Sequence, residues 1–107
     1  MEKRLELLRE IFPRLSRIAV LGNSKEPANA QSVKETELAA ETLGVKVHYF
    51  DVLVSSDIEA AFRSAKNARA DAVLVLAGYV FNSHPRQIAA HANKTRIPTM
   101  YQGSEYV

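Results

Sequence analysis

The sequence predicts an α/β domain, a three-layer α-β-α sandwich with a parallel sheet of about four strands, and two features support this. Apolar residues run through 18–21 and through most of 71–78 without alternation, which is typical of parallel strands buried on both faces. Segments with apolar residues at helical spacing separate the strand segments at the intervals of βαβ units. The predicted order is therefore α-β-α-β-α-β-α-β, in one domain with right-handed crossovers.

The first two helices are marked by prolines and a glycine. A helix is expected over residues 2–12, where apolar residues recur at helical spacing and Pro13 disfavours continuation. The next helix is expected over residues 27–43, because Pro27 fits a first helical turn and Gly44 fits a left-handed C-cap.

The later elements follow from alternation and capping signals. Residues 45–52 alternate in polarity, which favours an edge strand. Residues 56–59, Ser-Asp-Ile-Glu, have the form of a capping box that opens a helix. Residues 82–85 are expected to cap the last helix. The final strand is expected over residues 97–101, and Pro98 favours an edge position for it.

The composition excludes several classes of protein and site. The 14 Lys and Arg residues and 12 Asp and Glu residues are interspersed, so no basic stripe indicates a nucleic-acid partner. The absence of cysteine excludes disulfides and thiolate chemistry. No apolar stretch reaches the roughly 18 residues of a membrane span. The amino terminus lacks the apolar core of a signal peptide, so we expect no export signal in this chain.

The motifs that support catalysis are also missing from the sequence. There is no Gly-x-Gly-x-x-Gly turn for a dinucleotide and no phosphate-binding P-loop. The strand over 71–78 ends without the aspartate that accepts a phosphoryl group in receiver domains. The histidines His48, His84 and His91 lack metal-ligand spacing. No nucleophile–base arrangement is visible. We therefore expect a protein that is not an enzyme and that has no cofactor and no metal.

The carboxyl ends of the predicted strands indicate a binding pocket. Parallel strands end at one edge of the sheet, where open α/β sheets bind ligands. Helix amides near Asn29 favour an anion such as a carboxylate. Tyr79 and Phe81 fall in one loop that we expect to be exposed, where two aromatic side chains indicate contact with a ligand. The predicted ligand is a small molecule with an anionic end and an apolar body.

Several segments together resemble one family. Residues 5–23, LELLREIFPRLSRIAVLGN, are very similar to a segment of ABC-transporter solute-binding proteins of the group associated with tryptophan and tyrosine uptake. The resemblance continues over nearly the whole chain, in KETELAA at 34–40, LGV at 43–45, DIEAAF at 57–62, ADAVLVL at 70–76, RQIA at 86–89 and RIPTMY at 96–101. In the first loop Asn23 and Pro27 match the family, whereas Gly22, Ser24 and Lys25 differ from it.

The resemblance implies a Rossmann- or flavodoxin-like lobe of a type I periplasmic binding protein, in which two lobes close on a solute. Residues 1–107 then form one lobe, with residues 1–16 as the N-terminal helix that leads in from the crossover. The chain is expected to be an excised domain or a truncated gene product. The parent protein is expected to be periplasmic and to deliver an amino-acid-like or aromatic-acid ligand to an ABC-transporter permease.

The ligand contacts implied by the resemblance all lie at the carboxyl edge. Helix amides would hold the carboxylate, Asn23 would orient it, and Tyr79 and Phe81 would flank the apolar part. The full set of ligand-binding candidates is Asn23, Ser24, Asn29, Gly78, Tyr79, Phe81, Tyr101 and Gln102.

Two alternative functions stay open on the sequence alone. The first is a stand-alone interaction module that forms a homodimer through the exposed cleft face and has no ligand of its own. The second is a sugar- or nucleotide-binding enzyme domain on the same fold, because fold does not fix function.

Overall fold

The computed structural model describes residues 2–101, and the side chains of residues 2–5, 8 and 79 stay outside that description. Four strands form one parallel sheet, and helices cover both of its faces. In chain order the elements are α1 (Glu2–Ile11), β1 (Arg17–Gly22), α2 (Pro27–Leu43), β2 (Lys46–Asp51), α3 (Asp57–Asn67), β3 (Ala72–Val75), α4 (Tyr79–Asn82), α5 (Pro85–Thr95) and β4 (Thr99–Tyr101).

The strands lie in the order β2-β1-β3-β4, so β2 and β4 are the edges and β1 is central. Ile18 of β1 pairs with Val47 on one side and with Ala72 on the other, and both pairings are parallel. The chain moves from β1 outward to β2 and then returns to place β3 on the other side of β1. The topological switch point of the sheet is therefore between β1 and β3, as the predicted three-layer α/β fold requires.

Each face of the sheet has its own apolar core. In β1, Ile18 and Val20 pack towards α2, whereas Ala19 and Leu21 pack towards α3, α4 and α5. All four side chains are fully buried, because helices cover both faces. The continuous apolar run in the sequence thus predicted a central strand correctly.

Helix α2 begins and ends where the sequence predicts. Pro27 occupies its first turn, and Gly44 ends it with a left-handed backbone at φ 72°. The N–H of Val45 then donates to the carbonyl oxygen of Ala40 at 2.8 Å, which turns the chain directly into β2.

Two local predictions are wrong. Ser56 makes no side-chain cap to α3 and has helical backbone angles. The carboxylate of Asp57 instead accepts the N–H groups of Leu53 and Val54, at 3.1 and 3.2 Å, and so orders the turn before the helix. The second difference is the short helix α4, which forms where the sequence predicts an exposed loop.

Candidate functional site

The candidate site is the carboxyl edge of the sheet around the switch point. There β1 leads into the loop 23–26, β2 ends at Asp51, and β3 leads through Ala77 and Gly78 into α4. Loops on either side of a switch point leave a crevice between them, which is where open α/β sheets bind ligands. The contacts across this crevice decide which groups a ligand meets.

The side chain of Asn29 bridges the crevice. It lies in the first turn of α2 and is only 2% exposed. Its Oδ1 accepts the N–H of Asn23 at 2.7 Å, and its Nδ2 donates to the carbonyl oxygen of Ala77 at 2.7 Å. One buried amide thus ties the end of β1 to the end of β3.

Gly22 allows Asn29 to come this close. A Cβ atom at Gly22 would lie 2.9 Å from Leu76 Cδ1, 3.1 Å from Tyr49 Cε1 and 3.2 Å from Asn29 Oδ1. These separations are shorter than ordinary carbon contacts. The glycine is therefore explained by packing at the switch point.

Asp51 holds the loop 23–26 from the other side. Its Oδ1 accepts the N–H of Ser24 at 2.8 Å and the hydroxyl of Tyr49 at 2.8 Å. Its Oδ2 accepts the hydroxyl of Ser24 at 2.7 Å. The last residue of β2 therefore fixes both the backbone and the side chain of Ser24.

These contacts determine the ionisation of the cluster. Burial alone would raise the pKa of Asp51, but the hydrogen bonds from Ser24 and Tyr49 and the charge of Lys25 outweigh it and lower that pKa. Burial raises the pKa of Tyr49, and the hydrogen bond to Asp51 and the negative charge of Asp51 raise it further, so that it lies well above its usual range. At neutral pH Asp51 is ionised and accepts only, while Tyr49 keeps its proton.

Glu26 lies against Gly78 across the crevice. A Cβ atom at Gly78 would meet the carboxylate at the end of the Glu26 side chain, which would have to move aside. The carbonyl oxygen of Glu26 accepts the N–H of Asn29 at 3.0 Å. The amide of Asn29, expected to be available to a ligand, is therefore engaged within the turn.

The structure brings four of the predicted residues together, namely Asn23, Ser24, Asn29 and Gly78. Phe81 is not an exposed aromatic, and that expectation is wrong: it is 3% exposed and packs in the core beneath α3 and α5. The backbone of Tyr79 begins α4, but its side chain lies outside the description, as does the whole of Gln102.

Tyr101 lies at the carboxyl edge of the sheet, as the sequence predicts, on the edge strand beyond β3. It ends β4, which is two strand positions from β1, or roughly 10 Å at normal strand spacing. It is partly buried, which raises its pKa, and it borders a groove of about 500 Å³ between α5 and β4. Tyr101 is therefore at the same edge as the loop 23–26 without adjoining it.

Sequence reasoning missed Asp51, Tyr49 and Glu26 as parts of the site. The position of Asp51 as the last residue of a strand was a usable signal, because strand ends converge at this edge. In the described part of the chain, no group of three or more histidine or acidic side chains could hold a metal ion. No helix within residues 2–101 is long and apolar enough to cross a membrane.

Solved structures share this fold. The ABC domain of a Streptococcus pneumoniae protein in complex with L-Trp superposes with a TM-score of 0.86 at 20% identity, over 96% of this chain and 35% of that one. A conserved domain protein from Vibrio cholerae superposes with a TM-score of 0.83 at 28% identity, over 98% of this chain and 35% of that one. The third structure is the ligand-free, open form of CD0873, a substrate-binding protein with adhesive properties from Clostridium difficile. It superposes with a TM-score of 0.84 at 23% identity, over 94% of this chain and 34% of that one.

The chain thus spans about a third of the length of these structures. No curated protein sequence matches it. The family described as ABC transporter substrate binding protein matches residues 1–107. The chain therefore belongs to the ABC transporter substrate-binding protein family.

Proposed function

We propose that the chain is one lobe of a two-lobe solute-binding protein and that its carboxyl edge is half of the ligand cleft. Family membership and the coverage of about a third of each structural relative support this proposal. The observation that carries it is the Asn29 bridge, which holds the loops on both sides of the switch point in fixed positions. Fixed loops of this kind lower the entropic cost of binding.

The proposed ligand is amino-acid-like or a small aromatic acid. The sequence resembles the group associated with tryptophan and tyrosine uptake, and the Streptococcus pneumoniae relative holds L-Trp. The side chains of Asn23 and Ser24 would contact the polar end of such a ligand.

The role is binding and delivery, without turnover. A longer protein containing this lobe would act outside the cytoplasm and pass its solute to an ABC-transporter permease. A half-cleft cannot bury the 70–90% of ligand surface that is usual in binding sites. We therefore expect the lobe alone to bind with millimolar affinity, which corresponds to about −4 kcal/mol.

Saturation-transfer NMR on the chain tests the ligand class. The panel is L-tryptophan, L-tyrosine, L-leucine and D-glucose, each at millimolar concentration. We expect transfer to the two aromatic amino acids and none to glucose. Transfer to no amino acid would contradict the proposed function, and micromolar affinity would contradict the half-cleft.

A second candidate function is self-association through the same edge. Leu53 and Val54 are neighbours in the loop after β2 and are 37% and 54% exposed. Adjacent exposed apolar side chains favour a protein contact. Sedimentation of the wild type beside Val54→Asp tests this candidate: a dimer that the substitution dissociates supports it, and a wild-type monomer at high concentration rejects it.

A further inference from the structure

We propose that the loop 23–26 binds the hydrogen-bond donor end of the ligand, an ammonium group, at Ser24 Oγ, and that Asp51 is the positioning residue for this contact. The inference rests on the proposed function and reverses the sequence-based expectation of a carboxylate at this loop. It concerns which end of an amino-acid-like ligand meets which side of the cleft.

The backbone donors of the loop are already engaged. The N–H of Asn23 donates to Asn29 Oδ1 at 2.7 Å, and that of Ser24 donates to Asp51 Oδ1 at 2.8 Å. The N–H of Lys25 donates to Asn23 Oδ1 at 2.9 Å, and the N–H of Glu26 donates to the carbonyl oxygen of Asn23 at 3.0 Å. Anions bind loops through convergent free N–H groups. Four successive amides with internal acceptors do not form such a site.

The hydroxyl of Ser24 is engaged as a donor as well. A serine hydroxyl has one hydrogen and two acceptor lone pairs, and an ionised carboxylate only accepts. The 2.7 Å contact between Ser24 Oγ and Asp51 Oδ2 therefore uses the hydroxyl hydrogen of Ser24. Ser24 is exposed, and the lone pairs of its Oγ remain able to accept a hydrogen bond from a ligand.

Asp51 also sets the charge that a ligand meets. Tyr49 and the N–H of Ser24 both donate to Oδ1, which keeps the carboxylate ionised and in place. The negative charge of Asp51, which is hydrogen-bonded to the Ser24 hydroxyl, favours a cationic donor over an anion at this hydroxyl. An ammonium group combines a positive charge with N–H hydrogens that the lone pairs of Ser24 Oγ can accept. The carboxylate of the ligand is then left for another part of the cleft.

Three tryptophan-like probes separate the two ends of the ligand. L-Tryptophan has both groups, tryptamine lacks the carboxylate, and indole-3-propionate lacks the amine. In an amide-resolved NMR titration of the chain, we expect L-tryptophan and tryptamine to shift the Ser24 amide. Indole-3-propionate is expected to leave it unchanged. A Ser24 shift with indole-3-propionate and none with tryptamine would overturn the inference.

Ser24→Ala removes the accepting oxygen and keeps the N–H bond to Asp51. It is expected to weaken tryptamine binding about tenfold, as for the loss of one hydrogen bond to a charged group. Ser16→Ala is the matched control, because the N–H and hydroxyl of Ser16 donate to Asp71 at 2.8 and 3.2 Å, away from the carboxyl edge. Unchanged tryptamine affinity in Ser24→Ala would overturn the inference.

The failures of the inference and of the proposed function are distinguishable. Binding of the probes at the carboxyl edge through their carboxylate would overturn the ammonium assignment and keep the solute-binding role. Binding of no probe anywhere on the chain would overturn both.

Discussion

The Nδ2 atom of Asn29 donates a hydrogen bond to the carbonyl oxygen of Ala77 at 2.7 Å, and the two residues are 48 positions apart in the chain. The same amide accepts the N–H of Asn23, so one side chain spans the switch point between β1 and β3. A buried amide with its donor and acceptor both used in this way orders two loops at once. The candidate cleft depends on this link.

Asn29→Ala should therefore destabilise the domain and loosen the loop after β1. Loss of two hydrogen bonds at a buried position is expected to lower the free energy of unfolding by about 3 kcal/mol. Urea denaturation measures the loss. Asn67→Ala, at an exposed residue near the end of α3, should change it by less than about 0.5 kcal/mol. Equal effects in the two variants would contradict the role assigned to Asn29.

Gly22→Ala should disturb the same link by crowding. Its new methyl group would have to displace Leu76, Tyr49 or Asn29, which is expected to cost about 1–3 kcal/mol of unfolding free energy. Gly44→Ala is the control, because nothing lies within 4 Å of its Cβ position and only its positive φ is strained. We expect a cost of about 1 kcal/mol there. Only Gly22→Ala should move the side-chain amide resonances of Asn29, and unmoved resonances would count against the crowding.

Phe81→Ala distinguishes a core residue from a ligand contact. Phe81 is 3% exposed, so we expect a loss of about 3–5 kcal/mol in the free energy of unfolding. Leu38→Ala removes an apolar side chain that is 67% exposed and should cost less than about 0.5 kcal/mol. Denaturation curves of the two variants compare them directly. A Phe81 variant as stable as the Leu38 variant would restore the exposed-loop interpretation.

Stability should fall at low pH through Asp51 and Asp71. Burial alone would raise the pKa of Asp71, but hydrogen bonds from Ser16 and from the N–H of Arg17, together with the charge of Arg17, lower it. The pKa of Asp51 is lowered in the same way, by hydrogen bonds from Ser24 and Tyr49 and by the charge of Lys25. A carboxyl group whose pKa is lower in the folded state than in the unfolded state stabilises the folded protein. The stabilisation is complete at pH values above the unfolded-state pKa, which is about 3.9. This stabilisation is lost as the pH falls through the folded-state pKa.

The double variant Asp51→Asn with Asp71→Asn should lack this part of the pH dependence. Urea denaturation from neutral pH down to about pH 3 measures it in both proteins. The wild type is expected to lose more stability over that range than the variant. Parallel pH profiles would show that the two carboxylates are not responsible.

The layers and strand positions were predictable from the sequence because they depend on local signals. The uninterrupted apolar run of β1 requires burial on both faces, and Pro27 and Gly44 mark the ends of α2 by their backbone preferences. These signals are complete within a few residues. The family resemblance added the solute-binding expectation, which composition and spacing alone could not supply.

The details of the site were less predictable because they depend on contacts between distant segments. Ser24 meets Asp51 at a separation of 27 residues, and the strand ends place both at one edge of the sheet without indicating that these two residues form hydrogen bonds. Phe81 lies in a stretch that resembles a loop, and only the packing of α3 and α5 makes it a core residue. At Ser56, the competing carboxylate of Asp57 orders the turn, so a capping pattern that is correct in form is not used.

The most direct measurement is an amide-resolved NMR titration of the ¹⁵N-labelled chain with L-tryptophan. It reports which part of the surface the ligand meets even when the affinity is only millimolar. We predict shifts clustered at residues 23–26 and at Gly78, growing through the millimolar range. Shifts confined to another surface, such as the groove between α3 and α5 lined by Lys66 and Lys94, would contradict the claim that the carboxyl edge is half of the ligand cleft.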